Sequence, residues 1–253
     1  MKRYIPNTLT CISLIFGFYG AIAGITGNYF EAMIAIFIAA VFDFADGLAA
    51  RLLKAYSAMG KELDSLADMI SFGVAPGMMM FGFLNQLLHR LSWHDSVVCK
   101  IFLLAAFAVP VFSGLRLAKF NIDERQKTSF IGLPVPAHAM LWSSLIVVFA
   151  GDVHATICIF PQFAGLLASI SPSIMLIGLT IAIVATSLLL VSEIPMFSLK
   201  LTSLSWKDNK RPFVLIGGGI LFILFWGIAG IAATILLYIL LCIIWVDASY
   251  NSQ

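Results

Sequence analysis

The chain has 253 residues, 61% of them hydrophobic and 11% charged, with a formal net charge of +2. So apolar a composition exceeds the roughly half apolar share of soluble domains and excludes that class. Fifteen Lys and Arg against 13 Asp and Glu leave no basic surplus for a polyanion, so no nucleic-acid partner is expected.

Crossing a bilayer as a helix takes about 20 apolar residues. Such runs follow one another at 9–26, 29–50, 66–88, 97–115, 134–150, 173–192 and 213–247. The last is long enough for two short spans, which predicts seven or eight transmembrane helices in an all-α, polytopic membrane bundle. No repeat, linker or low-complexity tract interrupts the chain, so residues 1–253 are expected to form one integral membrane domain. Lys2 and Arg3 precede the first run without a small-residue cleavage site after it, which reads as a retained first helix. Basic residues gather in alternate connections: Lys2 and Arg3, then Arg51, Lys54 and Lys61, then Arg116, Lys119, Arg125 and Lys127, then Lys200, Lys207, Lys210 and Arg211. The positive-inside rule puts these in the cytoplasm and 26–30, 89–100 and 151–172 outside, although Arg90 and Lys100 weaken the contrast at the second of these.

Several polar positions stand out along the chain. Pro6-Asn7-Thr8-Leu9-Thr10 opens the first run, where Asn7 or Thr8 can act as a helix cap. His138 in the fifth run and Glu193 at the end of the sixth are ionisable groups at membrane depth, though His138 reads equally as a neutral packing residue. His89, His94 and His154 fall on outer connections, and Trp93, Trp142, Trp206 and Trp245 near span ends read as interfacial anchors. Cys11, Cys99, Cys158 and Cys242 stand singly, without metal-site or redox-pair spacing, and read as buried thiols.

The densest polar information lies between residues 43 and 68. Asp43 and Asp46 are three residues apart and Asp64 and Asp68 four apart, so each pair shares a helix face. An antiparallel pairing of the two helices brings the carboxylates together at membrane depth, where an ionised side chain costs several kcal/mol unless compensated. Arg51 alone does not balance four negative charges. Oxygen-only ligation without His or Cys suits Mg²⁺ or Mn²⁺, and four carboxylates can hold two ions. Such a pair suits phosphoryl chemistry, neutralising phosphate oxygens and orienting an attacking oxygen. Gly47, Ala49, Ala50 and Gly60 keep the surrounding surface low, which serves either ligand approach or helix packing.

In order, the segment reads Asp43, two residues, Asp46, Gly47, two residues, Ala50, Arg51, eight residues, Gly60, three residues, Asp64, three residues, Asp68. This resembles the full signature of the CDP-alcohol phosphatidyltransferases, with no departure at any signature position. The resemblance implies a polar, metal-containing cavity open to the cytoplasm, within about six core helices. It implies that Asp43, Asp46, Asp64 and Asp68 bind metal, with Asp68 also the general base toward the acceptor hydroxyl. Asp46, Gly47, Ala50, Arg51, Ser57 and Gly60 would hold the CDP-lipid, and the Pro-Asn-x-x-Thr start adds Asn7 and Thr10. The guanidinium of Arg51 suits phosphate oxygens through its several donors.

Outer segments bear on the acceptor. SLADMISFGVAP (65–76), LRLAKFN (115–121), FIGLPVP (130–136) and VSEIP (191–195) resemble the phosphatidylserine synthase branch of that family. The partners so implied are CDP-diacylglycerol, L-serine and membrane lipids, with a homodimer left open, and the location implied is the bacterial inner membrane with the site facing the cytoplasm. A serine carboxylate needs a cation, and Arg116, Lys119 and Asn121 are the acceptor-binding candidates. Lys119 and Arg125 read equally as contacts for anionic headgroups. Glycerol 3-phosphate or an inositol phosphate would be alternative acceptors under the same chemistry. A carboxylate-lined cation transporter would account for the aspartates but not for Gly47, Arg51 and Gly60 at fixed spacing.

Overall fold

The computed structural model describes residues 4–93, 97–123, 130–151, 170–197 and 209–244. Expectations for Lys2, Arg3, His94, Arg125, Lys127, His154, Cys158, Lys200, Trp206, Lys207 and Trp245 lie outside the described residues. Where it is described the chain is a helical bundle, as lipid requires: with no water to satisfy backbone N–H and C=O groups, each apolar segment closes its own hydrogen bonds.

The first two runs form α1 (Tyr4–Ile25) and α2 (Tyr29–Leu52). They are joined by a tight turn in which Gly27 takes φ +89° and the Asn28 N–H donates to the Ala23 carbonyl at 2.9 Å. The third run differs from expectation. Its helix begins at Ala58, eight residues before the apolar run, and α3 (Ala58–Asp68), a π-helical turn (Met69–Val74) and α4 (Ala75–Arg90) make one continuous 33-residue segment. Polar residues start it: Ser57 caps α3, its Oγ accepting from the Gly60 N–H at 3.0 Å. Hydropathy misses this turn because Lys61, Glu62, Asp64 and Ser65 mask the helix period.

Against this segment α1 packs at van der Waals minimum distance. A Cβ on Gly17 would fall 2.6 Å from the Ser71 Cα, and one on Gly24 2.9 Å from the Met79 Cα. Small residues at such crossings let helix backbones approach in a bilayer.

The fourth run forms α5 (Val97–Ile122), which continues seven residues beyond the expected end at 115 and carries LRLAKFN as helix. Then follow α6 (Val135–Phe149) and α7 (Pro172–Val191). The final run is broken at Gly227 (φ 56°, ψ −125°) into α8 (Lys210–Trp226) and α9 (Ile228–Ile244), which pack as a hairpin. At 1.5 Å per residue each of these 17-residue helices is about 25 Å long. Among the described residues five helical segments are long and apolar enough to cross a membrane, and α6 and α9 are shorter apolar helices.

A two-stranded antiparallel ribbon, β1 (Phe130–Ile131) with β2 (Pro195–Met196), joins the FIGLPVP and VSEIP stretches. Gly132 follows at φ +76°, where an added Cβ would sit 2.4 Å from the Leu190 carbonyl oxygen.

The buried core centres on Phe72, Met79, Met80, Phe83, Leu84 and Trp142. Trp142 is a correction: it is 2% exposed in the interior rather than an interfacial anchor, and its indole N–H donates to Thr186 Oγ1 at 3.0 Å. Its position eight residues into α6 and that internal acceptor explain the burial. Trp93, by contrast, is 40% exposed just beyond α4. Cys99 and Cys242 are buried as expected, whereas Cys11 is exposed on the outer surface of α1, where lipid accepts an apolar thiol.

Candidate active site

The carboxylates do not gather as a symmetric four. Asp43 near the end of α2 and Asp64 and Asp68 on α3 each offer an oxygen such that all three lie within 4.8 Å of one another. Asp46 is not in that trio. It lies one turn further along α2, 6% exposed, and its Oδ2 accepts a short hydrogen bond from Thr10 Oγ1. Thr10 Oγ1 also lies 3.1 Å from the Pro6 carbonyl, so the start of α1 holds Asp46.

This arrangement fits divalent ions on two structural counts. Three carboxylates share one place with no cation of the chain ion-paired to them among the described residues. One of the Asp68 oxygens, Oδ1, is buried without a hydrogen-bond partner. A buried carboxylate oxygen left unpaired is costly, and an all-oxygen donor set is what Mg²⁺ or Mn²⁺ takes.

Beside the trio lies an open cleft of about 240 Å³, lined by the start of α1, the end of α2 and the start of α3. Its walls include Asn7, Thr10, Asp46, Gly47, Ala50, Arg51, Ser57 and Gly60, so all eight positions expected at a CDP-lipid site face one space. Asp64 belongs both to this wall and to the trio, which makes the cleft and the carboxylates adjoin. An added Cβ on Gly47 would meet nothing within 4 Å, so helix packing does not explain that glycine. On Gly60 a Cβ would fall 3.0 Å from both Asn7 Oδ1 and Ser57 Oγ, closing the floor of the cleft.

The acceptor candidates all lie near the end of α5. Arg116, on α5, is 7% exposed, with its guanidinium over the Phe120 ring at 5.1 Å and its Nε without a hydrogen-bond partner. It is an electrostatic neighbour of Asp68 and of Tyr238 on α9. Lys119 is ion-paired with Glu193, tying the end of α5 to the segment after α7. Asn121 donates from Nδ2 to Ser65 Oγ at 2.9 Å and faces α3. Of these three, only Arg116 combines burial with an unpaired donor.

The sequence reading passed over Lys61, Tyr56, Ala55 and Pro6, which also line the cleft. Lys61 follows Gly60 and reads from the sequence only as an inside charge. Its Nζ lies 3.5 Å from the Asn121 carbonyl, bridging the cleft wall and the end of α5. His138 is fully buried away from the carboxylates, its Nε2 3.1 Å from Thr186 Oγ1. Thr186 donates its proton to the Ala182 carbonyl and accepts from Trp142, so the contact leaves Nε2 as the donor.

Comparison with known proteins agrees with this geometry. Residues 3–188 match the family model for CDP-alcohol phosphatidyltransferase. The chain is 38% identical over 138 residues to the CDP-diacylglycerol–serine O-phosphatidyltransferase of Bacillus subtilis, covering 54% of this chain and 72% of that protein. It is 31% identical over 202 residues to the Mycobacterium leprae protein of the same name, covering 77% of this chain and 58% of that one. With the archaetidylserine synthase of Methanothermobacter thermautotrophicus it shares 32% identity over 148 residues, 55% of this chain and 56% of that protein. The chain thus spans little more than half the length of the latter two. A signature complete at every position, gathered in the fold around one cleft and matched by the family model over most of the chain, places it in the CDP-alcohol phosphatidyltransferase family of enzymes.

Proposed function

We propose that the chain transfers the phosphatidyl group of CDP-diacylglycerol to L-serine, releasing CMP and forming phosphatidylserine. The observation that carries this reading is the adjacency of the carboxylate trio to the cleft through Asp64. A diphosphate in the cleft would extend from Arg51 and Lys61 toward Asp64, while the cytidine lies against Gly47, Ala50, Ser57 and Gly60. Asn7 and Thr10 close its far wall. The relatives' names supply the lipid and the acceptor.

Asp43, Asp64 and Asp68, with Asp46 from the cleft side, would hold one or two Mg²⁺ or Mn²⁺ ions, whose charge when bound would offset that of the diphosphate. Asp68 takes the proton of the serine hydroxyl. The hydroxyl oxygen then bonds to the lipid-side phosphorus as the bond from that phosphorus to the CMP oxygen breaks. Direct displacement needs no covalent enzyme intermediate. Arg116 pairs with the serine carboxylate, and the acyl chains leave between helices into lipid.

The whole chain acts as one domain of eight spans, α6, α8 and α9 included, in the bacterial inner membrane. The end carrying Arg51, Lys54, Lys61, Lys119 and Lys210 faces the cytoplasm, and the cavity opens there. The decisive assay is CMP release by protein purified in detergent, given CDP-diacylglycerol, Mg²⁺ or Mn²⁺ and a panel of alcohols. Stimulation by L-serine is expected. Stimulation by glycerol 3-phosphate or an inositol phosphate instead would reassign the acceptor, and no release with any alcohol would remove the enzymatic reading.

A further inference from the structure

The reaction on serine has to distinguish an amino acid from other small alcohols, and no residue placed so far contacts the amino group. Many hydroxyls of this bundle donate back to a carbonyl one turn earlier, as Thr26 does to Ile22, Ser144 to Met140, Thr180 to Leu176 and Thr234 to Gly230, and the buried Ser13 and Ser71 donate across to the Ala39 and Ser13 carbonyls. Ser113 and Ser187 depart from this habit, being fully buried with no hydrogen-bond partner for Oγ. A buried hydroxyl left unsatisfied requires an explanation.

What sets Ser113 apart is its place. It lies on α5 three residues before Arg116, hence on the same helix face. It faces the π-helical turn that starts directly after Asp68: a Cβ on Gly73 would lie 3.1 Å from the Ser113 Cβ and 3.5 Å from its Oγ. The lack of a side chain at Gly73 lets the backbone of that turn approach Ser113 without supplying a partner for its hydroxyl. Three buried, unpartnered polar atoms, Asp68 Oδ1, Arg116 Nε and Ser113 Oγ, thus occur on the facing surfaces of the Asp68 turn and α5. π-helical turns recur at functional sites because they re-aim the residues beside them.

We propose that Ser113 is a specificity-determining residue whose hydroxyl accepts a hydrogen bond from the ammonium group of an amino-acid acceptor, while Arg116 takes the carboxylate and Asp68 faces the hydroxyl. This rests on the proposed function and names the chemistry that selects its acceptor. A zwitterion fits such a set because each charged end meets a complementary group, whereas an acceptor lacking either end leaves one buried polar atom unpaired.

The test compares L-serine with 3-hydroxypropionate, which keeps the hydroxyl and carboxylate but lacks the amine, each as acceptor or as competitor in the CMP-release assay. Ser113→Ala should raise the KM for L-serine about tenfold, the range for one hydrogen bond to a charged group. It should leave the constants for 3-hydroxypropionate and CDP-diacylglycerol unchanged. An equal rise for both acceptors, or none for serine, would overturn the assignment and make Ser113 a packing residue. Should Ser113→Ala prove poorly folded, Ser113→Cys, with a much weaker acceptor in nearly the same volume, is expected to show the same split. Serine-independent CMP release by the unaltered protein would instead overturn the proposed function itself.

Discussion

The aspartates differ in what surrounds them, and their variants should differ accordingly. Asp43, Asp64 and Asp68 converge, so removing one charge would weaken the proposed metal site without opening a cavity. Asp43→Asn and Asp64→Asn are expected to lower metal-dependent CMP release by at least about a hundredfold with the melting midpoint unchanged or raised, since like charges close together repel. Asp68→Asn should be at least as damaging, because it would also remove the proposed base, a role worth about 10²–10⁴-fold. Substantial turnover in any of them would count against the metal reading. Asp46 instead has Thr10 as its partner. Thr10→Val should therefore raise the KM for CDP-diacylglycerol with less effect on kcat, in the way expected when binding rather than transition-state contact is lost. Arg116→Ala should show the opposite selectivity, raising the KM for serine about tenfold or more while leaving that for the lipid nearly unchanged. A raised lipid KM alone would move Arg116 to the diphosphate.

Glycines of similar appearance separate at the level of elements. Gly17 sits where α1 crosses the π-helical turn, with no room for a Cβ against the Ser71 backbone. Gly17→Ala should destabilise the bundle by about 1–3 kcal/mol, the usual cost of overpacking, read as a lower unfolding temperature in detergent. Gly47→Ala meets no protein atom within 4 Å. It should leave the unfolding temperature unchanged and raise the KM for CDP-diacylglycerol, because the added methyl enters the cleft. An unchanged KM there would mean that the ligand does not approach α2 at this point. The ion pair of Lys119 with Glu193 and the ribbon of β1 with β2 act between elements too, joining α5, α6 and α7 at one end of the bundle.

The proposed orientation of the molecule rests on its charge asymmetry, and it too can be checked. Lys54 lies in the connection between α2 and α3 and Ser92 just beyond α4, at opposite ends of the segment Ala58–Arg90. With the native cysteines replaced, Lys54→Cys should react with a membrane-impermeant maleimide only from the cytoplasmic face, and Ser92→Cys only from the outer face. The reverse pattern would invert the proposed topology, and labelling of both from one face would break the span assignment.

By itself the sequence determined the solvent, the class of fold, the family and eight of the positions that line the cleft. Apolar runs of bilayer length leave helices as the only open choice, and the fixed spacing of Asp43 through Asp68 follows helix geometry, which is local. What only tertiary structure decided depended on which surfaces meet. Periodicity in uniformly apolar helices does not tell a lipid-facing side from a buried one, so Trp142 read as an anchor until α7 was seen to cover it with Thr186. Polar residues hid the true start of α3 at Ala58, because hydropathy marks lipid contact and not where a capped helix begins. The division of the aspartates into a trio and a Thr10-held fourth depends on how α1 lies across α2 and α3, and no spacing within one helix encodes that crossing. Ser113 carried no motif at all. Its unsatisfied hydroxyl became visible only where α5 met the π-helical turn, since an unmade hydrogen bond is a property of neighbours and not of sequence.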